Sequence, residues 1–548
     1  MLIATLLLPL LVVLLLLLRI PRSVPLVILA PLPALALVVF PEQWHLPYVL
    51  TGLRLGVDAT GRPLLLLAGL LWFASGAHAR CYIPPTEQRR FGVFWLLTWV
   101  GTAGTVLAQD AVSFYGFYTW MGLSAYGLIV HTGSDAARRA GRVYLIMALA
   151  GEVLILPAVL LLVGPEGGTL LANLPARLAA HPHQPWLTGL VLAGFGVKLG
   201  LLPLHVWLPL AHPVAPTPAS AVLSGVLVKL GLLGWLRFLP LGELALPGWS
   251  ALCLGLGFTG AFYGVLVGVG QQHPKTVLAY SSISQMGLVI ALVGIGLNAP
   301  GDWPKIATVL MVFSLHHGLV KGALFLGQGA LSRGGHWASL GLVLAALALA
   351  GAPLTSGALA KGLYTSVTPL APEDWPQVLK PLLTASSAAT TVLLVRFLVL
   401  SWPQPLNARP APMGLWLPWL TLLALGAWLP WWWAATRLPA PTTYAVSAPA
   451  LLSALPPLLA GLLLALLAHR WHWPPRLPAG DLLALGRHCP PLPRLALPHP
   501  RPPAIPGLVD PRPYVARLLG LLERRLRRWA VAGLVFLTLL ALLAWLGG

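Results

Sequence analysis

Eight ionisable side chains sit inside otherwise apolar runs: Glu152, Lys198, His205, Lys229, His316, His317, Lys321 and Lys361. A desolvated lysine gives up and regains a proton more readily than one in water, and histidine already titrates near neutrality. Strung together by trapped water, such groups form a proton relay. Each also has a purely structural reading. A lysine near a helix end can snorkel its amine to the headgroups, which fits Lys361 better than Lys198 or Lys229, placed farther from their span ends. A helical histidine can bond a backbone carbonyl, which fits His316 better than His317, because Lys321 follows His317 by one helical turn. The glycines and serine around Lys229 (SGVLVKLG, 224–231) leave room for water or for close helix packing.

The elements that must hold these groups follow from composition. The chain has 548 residues, 57% hydrophobic and 9% charged, with a mean hydropathy of +0.82. A soluble protein of that length needs far more charge to cover its surface. Apolar runs of about 20 residues, enough to cross a bilayer, recur from end to end. They lie near 2–20, 23–41, 62–79, 90–109, 111–131, 142–163, 186–207, 218–240, 249–270, 275–297, 305–330, 338–364, 378–401, 413–434, 446–469 and 529–546. The fold class that follows is an all-α polytopic membrane protein with about 14–16 transmembrane helices. The first run lacks a basic n-region and a small-residue cleavage site, so it reads as a retained span and not a signal peptide.

The net charge of +20 does not mark a nucleic-acid-binding protein, because the basic residues fall in short loops and form no stripe. Arg19, Arg22, Arg80, Arg89, Arg90, Arg138, Arg139, Arg142, Lys275, Arg333 and Arg409 all fall in or beside odd-numbered loops. The positive-inside rule then puts those loops in the cytoplasm and both termini on the opposite side, in a bacterial inner membrane. Cys81, Cys253 and Cys489 are far apart and form no CxxC, which excludes a disulfide framework and gives no sign of an iron–sulfur or zinc site. No Rossmann or Walker glycine pattern occurs. No cofactor is expected, and any redox or ATP chemistry belongs to another chain.

Two spans carry breaks, KLGLLPLHVWLP (198–209) with Pro203 and GAPLTSGALAKG (351–362) with Pro353, and each has a lysine beside the proline. Broken helices persist at membrane depth only where protein or a water cavity satisfies the freed backbone groups. A matching pair in two halves points to inverted repeats, here 90–240 and 249–401, around a midplane site. Residues 1–89 and 402–469 supply flanking transmembrane helices. Residues 470–528 form a Pro/Arg-rich cytoplasmic segment in which YVARLLGLLERRLRRW (514–529) reads as an amphipathic surface helix. A terminal span covers 529–548.

The run LPLHVWLPLAHPVAPTPASAVLSGVLVKLGLLGWLR (202–237), followed by HPKTVLAYSSISQMG (273–287), HHGLVKGALFLGQGAL (316–331) and GAPLTSGALAKG, resembles a family of antiporter-like membrane subunits. These occur in respiratory complex I, multisubunit sodium/proton antiporters, membrane-bound hydrogenases and formate hydrogenlyase. The resemblance covers roughly 90–365 and is closest to the hydrogenase branch. It implies two inverted five-helix repeats with two broken helices. It also implies a proton path in which Lys198 is the central group of the first half, Lys229 connects the halves, His317 continues the path and Lys361 opens toward the exit. The family usually has a glutamate on its fifth helix that pairs with the broken-helix lysine. In FYGFYTWMGLSAYGLI (114–129) that position is Thr119. Glu152, in LIMALAGEVLILP, is the carboxylate expected to replace it; the competing reading has Glu152 packing elsewhere and the channel not pumping.

The function expected is a proton-translocating subunit of a larger, redox-linked complex, moving protons along Glu152, Lys198, His205, Lys229, His317, Lys321 and Lys361. Its partners would be other membrane subunits, a peripheral redox module and the lipid bilayer. Two alternatives remain. A component of a cation/proton antiporter is disfavoured by the single deep carboxylate, since sodium seeks oxygen ligands. A non-pumping scaffold would tolerate loss of Lys198 or Lys229.

Overall fold

A computed structural model describes residues 1–48, 52–163, 170–331, 336–402, 412–470 and 478. The expected amphipathic helix over 514–529, the terminal span over 529–546 and most of the Pro/Arg-rich segment lie outside the described residues. The chain opens with α1 (Leu2–Leu17) and α2 (Leu32–Val39), then β1 (Gln43–Leu46) and β2 (Leu53–Gly56). Helices α3 (Gly61–Tyr82), α4 (Gln88–Leu107), α5 (Ala111–Ile129), α6 (Asp135–Val163), α7 (Leu174–Ala180), α8 (Gln184–Leu199) and α9 (Trp207–Val214) follow. Next come α10 (Thr217–Val222), a π turn over Leu223–Leu227, α11 (Val228–Phe238), α12 (Pro247–Val269), α13 (Pro274–Asn298) and α14 (Trp303–Leu331). The last are α15 (His336–Ala350), α16 (Ser356–Thr365), α17 (Trp375–Ser401), α18 (Met413–Ala435), α19 (Pro439–Tyr444) and α20 (Ala448–Arg470).

Among the described residues, ten helices are long and apolar enough to cross a bilayer, with α10, the π turn and α11 counting as one. The chain is an all-α polytopic membrane protein. Several further spans read from the sequence are shorter or interrupted: α1, the 24–39 segment and α15 are apolar but short, and the 186–207 and 338–364 runs each split in two. The helices differ sharply in burial. The apolar windows of α10–α11, α13 and α14 are wholly buried, whereas α6 and α20 expose most of theirs. Apolar side chains such as Val153, Leu160, Leu459 and Leu466 project outward on those two helices, as lipid-facing positions do. The three buried helices carry Lys229, His316, His317 and Lys321, so the ionisable groups face protein and not hydrocarbon.

The hairpin of β1 and β2 was not legible as strand. It pairs antiparallel, Gln43 opposite Gly56, and sits at the junction where Asp110 caps α5 by accepting from the Ser113 N–H (2.8 Å) and also accepts from the Arg54 N–H (2.9 Å). Just beyond the hairpin Asp58 forms an ion pair with Arg237 at the end of α11. That contact ties the N-terminal helices to the first broken-helix unit.

Candidate functional site

Both expected breaks exist, and each starts at a glycine ahead of its proline. Helix α8 ends at Leu199, and Gly200 takes a left-handed conformation (φ +85°). Helix α15 ends at Ala350, and Gly351 does the same (φ +90°). In both, the N–H after the glycine bonds back to a carbonyl five residues earlier, Leu201 to Gly196 and Ala352 to Leu347, each at 2.9 Å. Such a C-terminal lock needs a residue with no Cβ penalty at positive φ. Pro203 and Pro353 lie in the linkers, where they prevent the helix from resuming at once.

Lys198 is 3% exposed. Its amine donates to the Tyr144 hydroxyl at 3.2 Å and lies over the rings of Tyr144 (5.0 Å), Tyr118 (5.8 Å) and Trp207 (6.0 Å), an aromatic cage that favours a cation. The Tyr144 hydroxyl in turn donates to the Gly122 carbonyl at 2.8 Å. Glu152, on α6, faces the same spot. A Cβ on Gly122 would stand 2.9 Å from Glu152 Oε1 and 3.5 Å from Lys198 Nζ, so the two charged atoms lie no farther apart than the sum of those, 6.4 Å. Thr119 lies beside the same carboxylate without forming a bond of good geometry to it.

A second cluster surrounds Lys229. The π turn before it turns the Ser224 carbonyl toward the amine, which donates to it at 2.9 Å. The same amine is 2.6 Å from His317 Nδ1, and both residues are buried. The Ser224 and Ser282 hydroxyls bond at 2.8 Å alongside. One turn along α14, the Lys321 amine donates to the Leu278 carbonyl at 2.6 Å and to the Ser281 hydroxyl. His316 Nδ1 bonds Ser356 at 2.9 Å, joining α14 to the start of α16. Lys361 donates to the Ala350 carbonyl at 2.6 Å and to Ser387 at 2.9 Å. His205 lies in the first break with its ring edge-on to Tyr263 at 5.2 Å.

Residues 108–368 match the family described as NADH:quinone oxidoreductase/Mrp antiporter, transmembrane. Hydrogenase-4 component B of Escherichia coli is 29% identical over 297 residues, 52% of this chain and 44% of that protein. NADH-quinone oxidoreductase subunit N of Desulforudis audaxviator is 28% identical over 407 residues, 68% of this chain and 77% of that protein. Among solved structures, the Mrp complex from Dietzia sp. DQ12-45-1b aligns with 95% of this chain and 60% of its own at a TM-score of 0.69 and 22% identity, a likeness of fold. The match spans less than half of the hydrogenase component.

Within this antiporter-like core the residues singled out from sequence fall into two groups. Glu152 and Lys198 face one another across Gly122, and Lys229 touches His317 with His316 and Lys321 adjoining. Among the described residues no hydrogen bond links Lys198 to Lys229. Lys361 stands at the second break, bound to it. Sequence reasoning missed Tyr144, whose partner is 54 positions away, and missed Ser281 and Ser387, whose hydroxyls meet the Lys321 and Lys361 amines. It also took Lys275 for a loop charge. Lys275 is instead 9% exposed, with its amine donating to the Ala215 carbonyl at 2.7 Å. That carbonyl closes α9 just before Pro216 and has no helical N–H beyond it, so the lysine folds inward. His212, also passed over, is fully buried against Phe325.

Proposed function

We propose that this chain carries protons through the membrane for a larger, redox-linked complex. The single observation that supports this most directly is the Lys229–His317 contact of 2.6 Å. Two basic groups that close, away from solvent, hold one transferable proton between them, because two like charges there would repel strongly in a low dielectric. Around that pair the row extends to Lys198 and Glu152 on one side, and to His316 and Lys361 on the other. A water is the ordinary bridge across a gap such as that between Glu152 and Lys198. Glu152 takes over the role of the fifth-helix carboxylate that Thr119 cannot fill, since threonine carries no charge and Glu152 reaches the same lysine from the next helix. His205 lines the first break, where water has access to Lys198. The two broken-helix units act as inverted repeats, 90–240 and 249–401, in a bacterial inner membrane with the termini on the non-cytoplasmic side. Partners are further membrane subunits and a peripheral redox module.

The test is proton flux in proteoliposomes of the purified complex, read with an internal pH-sensitive dye. Lys229→Met and Glu152→Gln each lower flux at least tenfold while the complex still assembles. Wild-type flux in Lys229→Met rejects the path; wild-type flux in Glu152→Gln rejects the replacement of the carboxylate.

A further inference from the structure

Four residues at successive four-residue steps, His317, Lys321, Phe325 and Gly329, run along α14 from the bundle centre to the helix end. Each step advances about 6 Å, so the stripe covers roughly 18 Å, a little more than half of a ~30 Å hydrocarbon core. Each residue of the stripe meets a polar group from a different helix. His317 meets Lys229 of α11, and Lys321 meets Ser281 of α13. Phe325 stacks on the His212 ring of α9 at 4.9 Å. Gly329 is where α3 and α10 arrive: a Cβ there would stand 3.0 Å from His78 Nε2, 3.0 Å from Thr217 Cγ2 and 3.4 Å from the Tyr82 ring.

The outer end of the stripe is continuous with the surface. The Thr217 hydroxyl donates to the Tyr82 hydroxyl at 3.1 Å. Tyr82 is partly exposed, and Arg80, two residues earlier, is exposed. His78 and Thr217 behind them are buried. His212, farther in, is fully buried, yet neither of its ring nitrogens has a hydrogen-bond partner among the described residues. Lys321 and Lys275 both lie within electrostatic reach of it. An imidazole with both nitrogens unbonded in a dry interior is costly, and water is the usual remedy.

We infer that Tyr82, His78, Thr217 and His212 form an access route by which protons reach Lys321 and the Lys229–His317 pair from the membrane face bearing Arg80, with Gly329 as its narrowest point. The inference rests on the proton-carrying function proposed above and adds a route with its own residues, none of which belongs to the row from Glu152 to Lys361. Gly329 matters because a side chain there would press on His78 and Thr217 at once, at 3.0 Å from each already at its Cβ.

Two readouts test it on the native complex. In the first, Thr217→Cys in intact membranes is exposed to a small charged methanethiosulfonate, and modification is followed by peptide mass spectrometry. The expected result is modification from the Arg80 face, slowed at least tenfold when Gly329→Leu is added. In the second, proteoliposome flux falls at least fivefold in Gly329→Leu and in His78→Phe, with His78→Gln, which keeps a polar side chain, retaining more flux than His78→Phe. Co-purification of the complex identifies variants that fold, and His78→Gln remains informative if Gly329→Leu does not. An unmodified Thr217→Cys, or wild-type flux in Gly329→Leu or His78→Phe while Lys229→Met is inactive, overturns the route and leaves the function standing. Wild-type flux in Lys229→Met itself removes the function and the route with it.

Discussion

At Gly200 and at Gly351 the chain performs the same manoeuvre: a helix stops on a left-handed glycine, and the next N–H locks back onto it. The lysines then behave differently. At the first break the buried Val197 carbonyl accepts from the Trp207 indole N–H at 2.8 Å, and from the Gly200 N–H at 3.3 Å. A neutral donor does the structural work, and the Lys198 amine remains available to Tyr144 and Glu152. At the second break the Ala350 carbonyl is taken by the Lys361 amine itself, while Thr355 caps α16 by accepting from the Ala358 N–H and donates to the Ala352 carbonyl at 2.6 Å. One lysine is separated from the scaffold of its break and the other is part of it. The same backbone motif therefore leaves the lysine amine clear of the break in one half and uses it as a donor to the break in the other.

Several measurements would break or sharpen that contrast. The largest effect is on flux: Lys198→Ala lowers proton flux at least tenfold with little change in thermal stability, because the Tyr144 hydroxyl keeps its own bond to Gly122. Equal flux in Lys198→Ala and wild type would remove the chemical half of the comparison. Next, Lys361→Met lowers stability by about 1–3 kcal/mol, the cost of leaving a buried carbonyl unpaired, read as a reduced melting temperature of the detergent-purified complex. Lys198→Met, the matched substitution, does not. If both variants melt alike, Lys361 is not a structural donor. Smaller still, Trp207→Phe costs about 1–2 kcal/mol by removing the donor to Val197, and flux falls less than in Lys198→Ala. The smallest change is Thr355→Ala, about 1 kcal/mol for a lost helix cap, visible as faster amide exchange over Ser356–Ala358.

Much of this was legible in the chain itself. Long apolar runs can only be helices in lipid, because no water is there to satisfy the backbone, and the two runs that set a glycine and a proline beside a lysine are the ones that break, at Gly200 and Gly351. Lys198, Lys229, His317, Lys321 and Lys361 stood out because charge at membrane depth is costly and needs a reason. The spans at 186–207 and 338–364 were each read as broken, and in the structure one helix stops at Leu199 and the other at Ala350, with new helices starting at Trp207 and Ser356. The 43–56 hairpin was not readable, because four-residue strands beside a turn carry too little periodicity. Lys275 was misread as a loop charge because it follows a proline, a context in which loop and buried helix start look alike, and His212 drew no reading at all.

By itself the sequence determined the solvent of the protein, the order of its helices, the places where two of them stop, and which ionisable residues lie deep. These follow from local composition and backbone chemistry. Only the tertiary structure decided which of those residues meet. Glu152 faces Lys198 because Gly122 of a third helix has no side chain to separate them, and Lys229 finds His317 across 88 positions of chain. Such contacts depend on the rotation and register of helices packed side by side, which no stretch of sequence specifies alone.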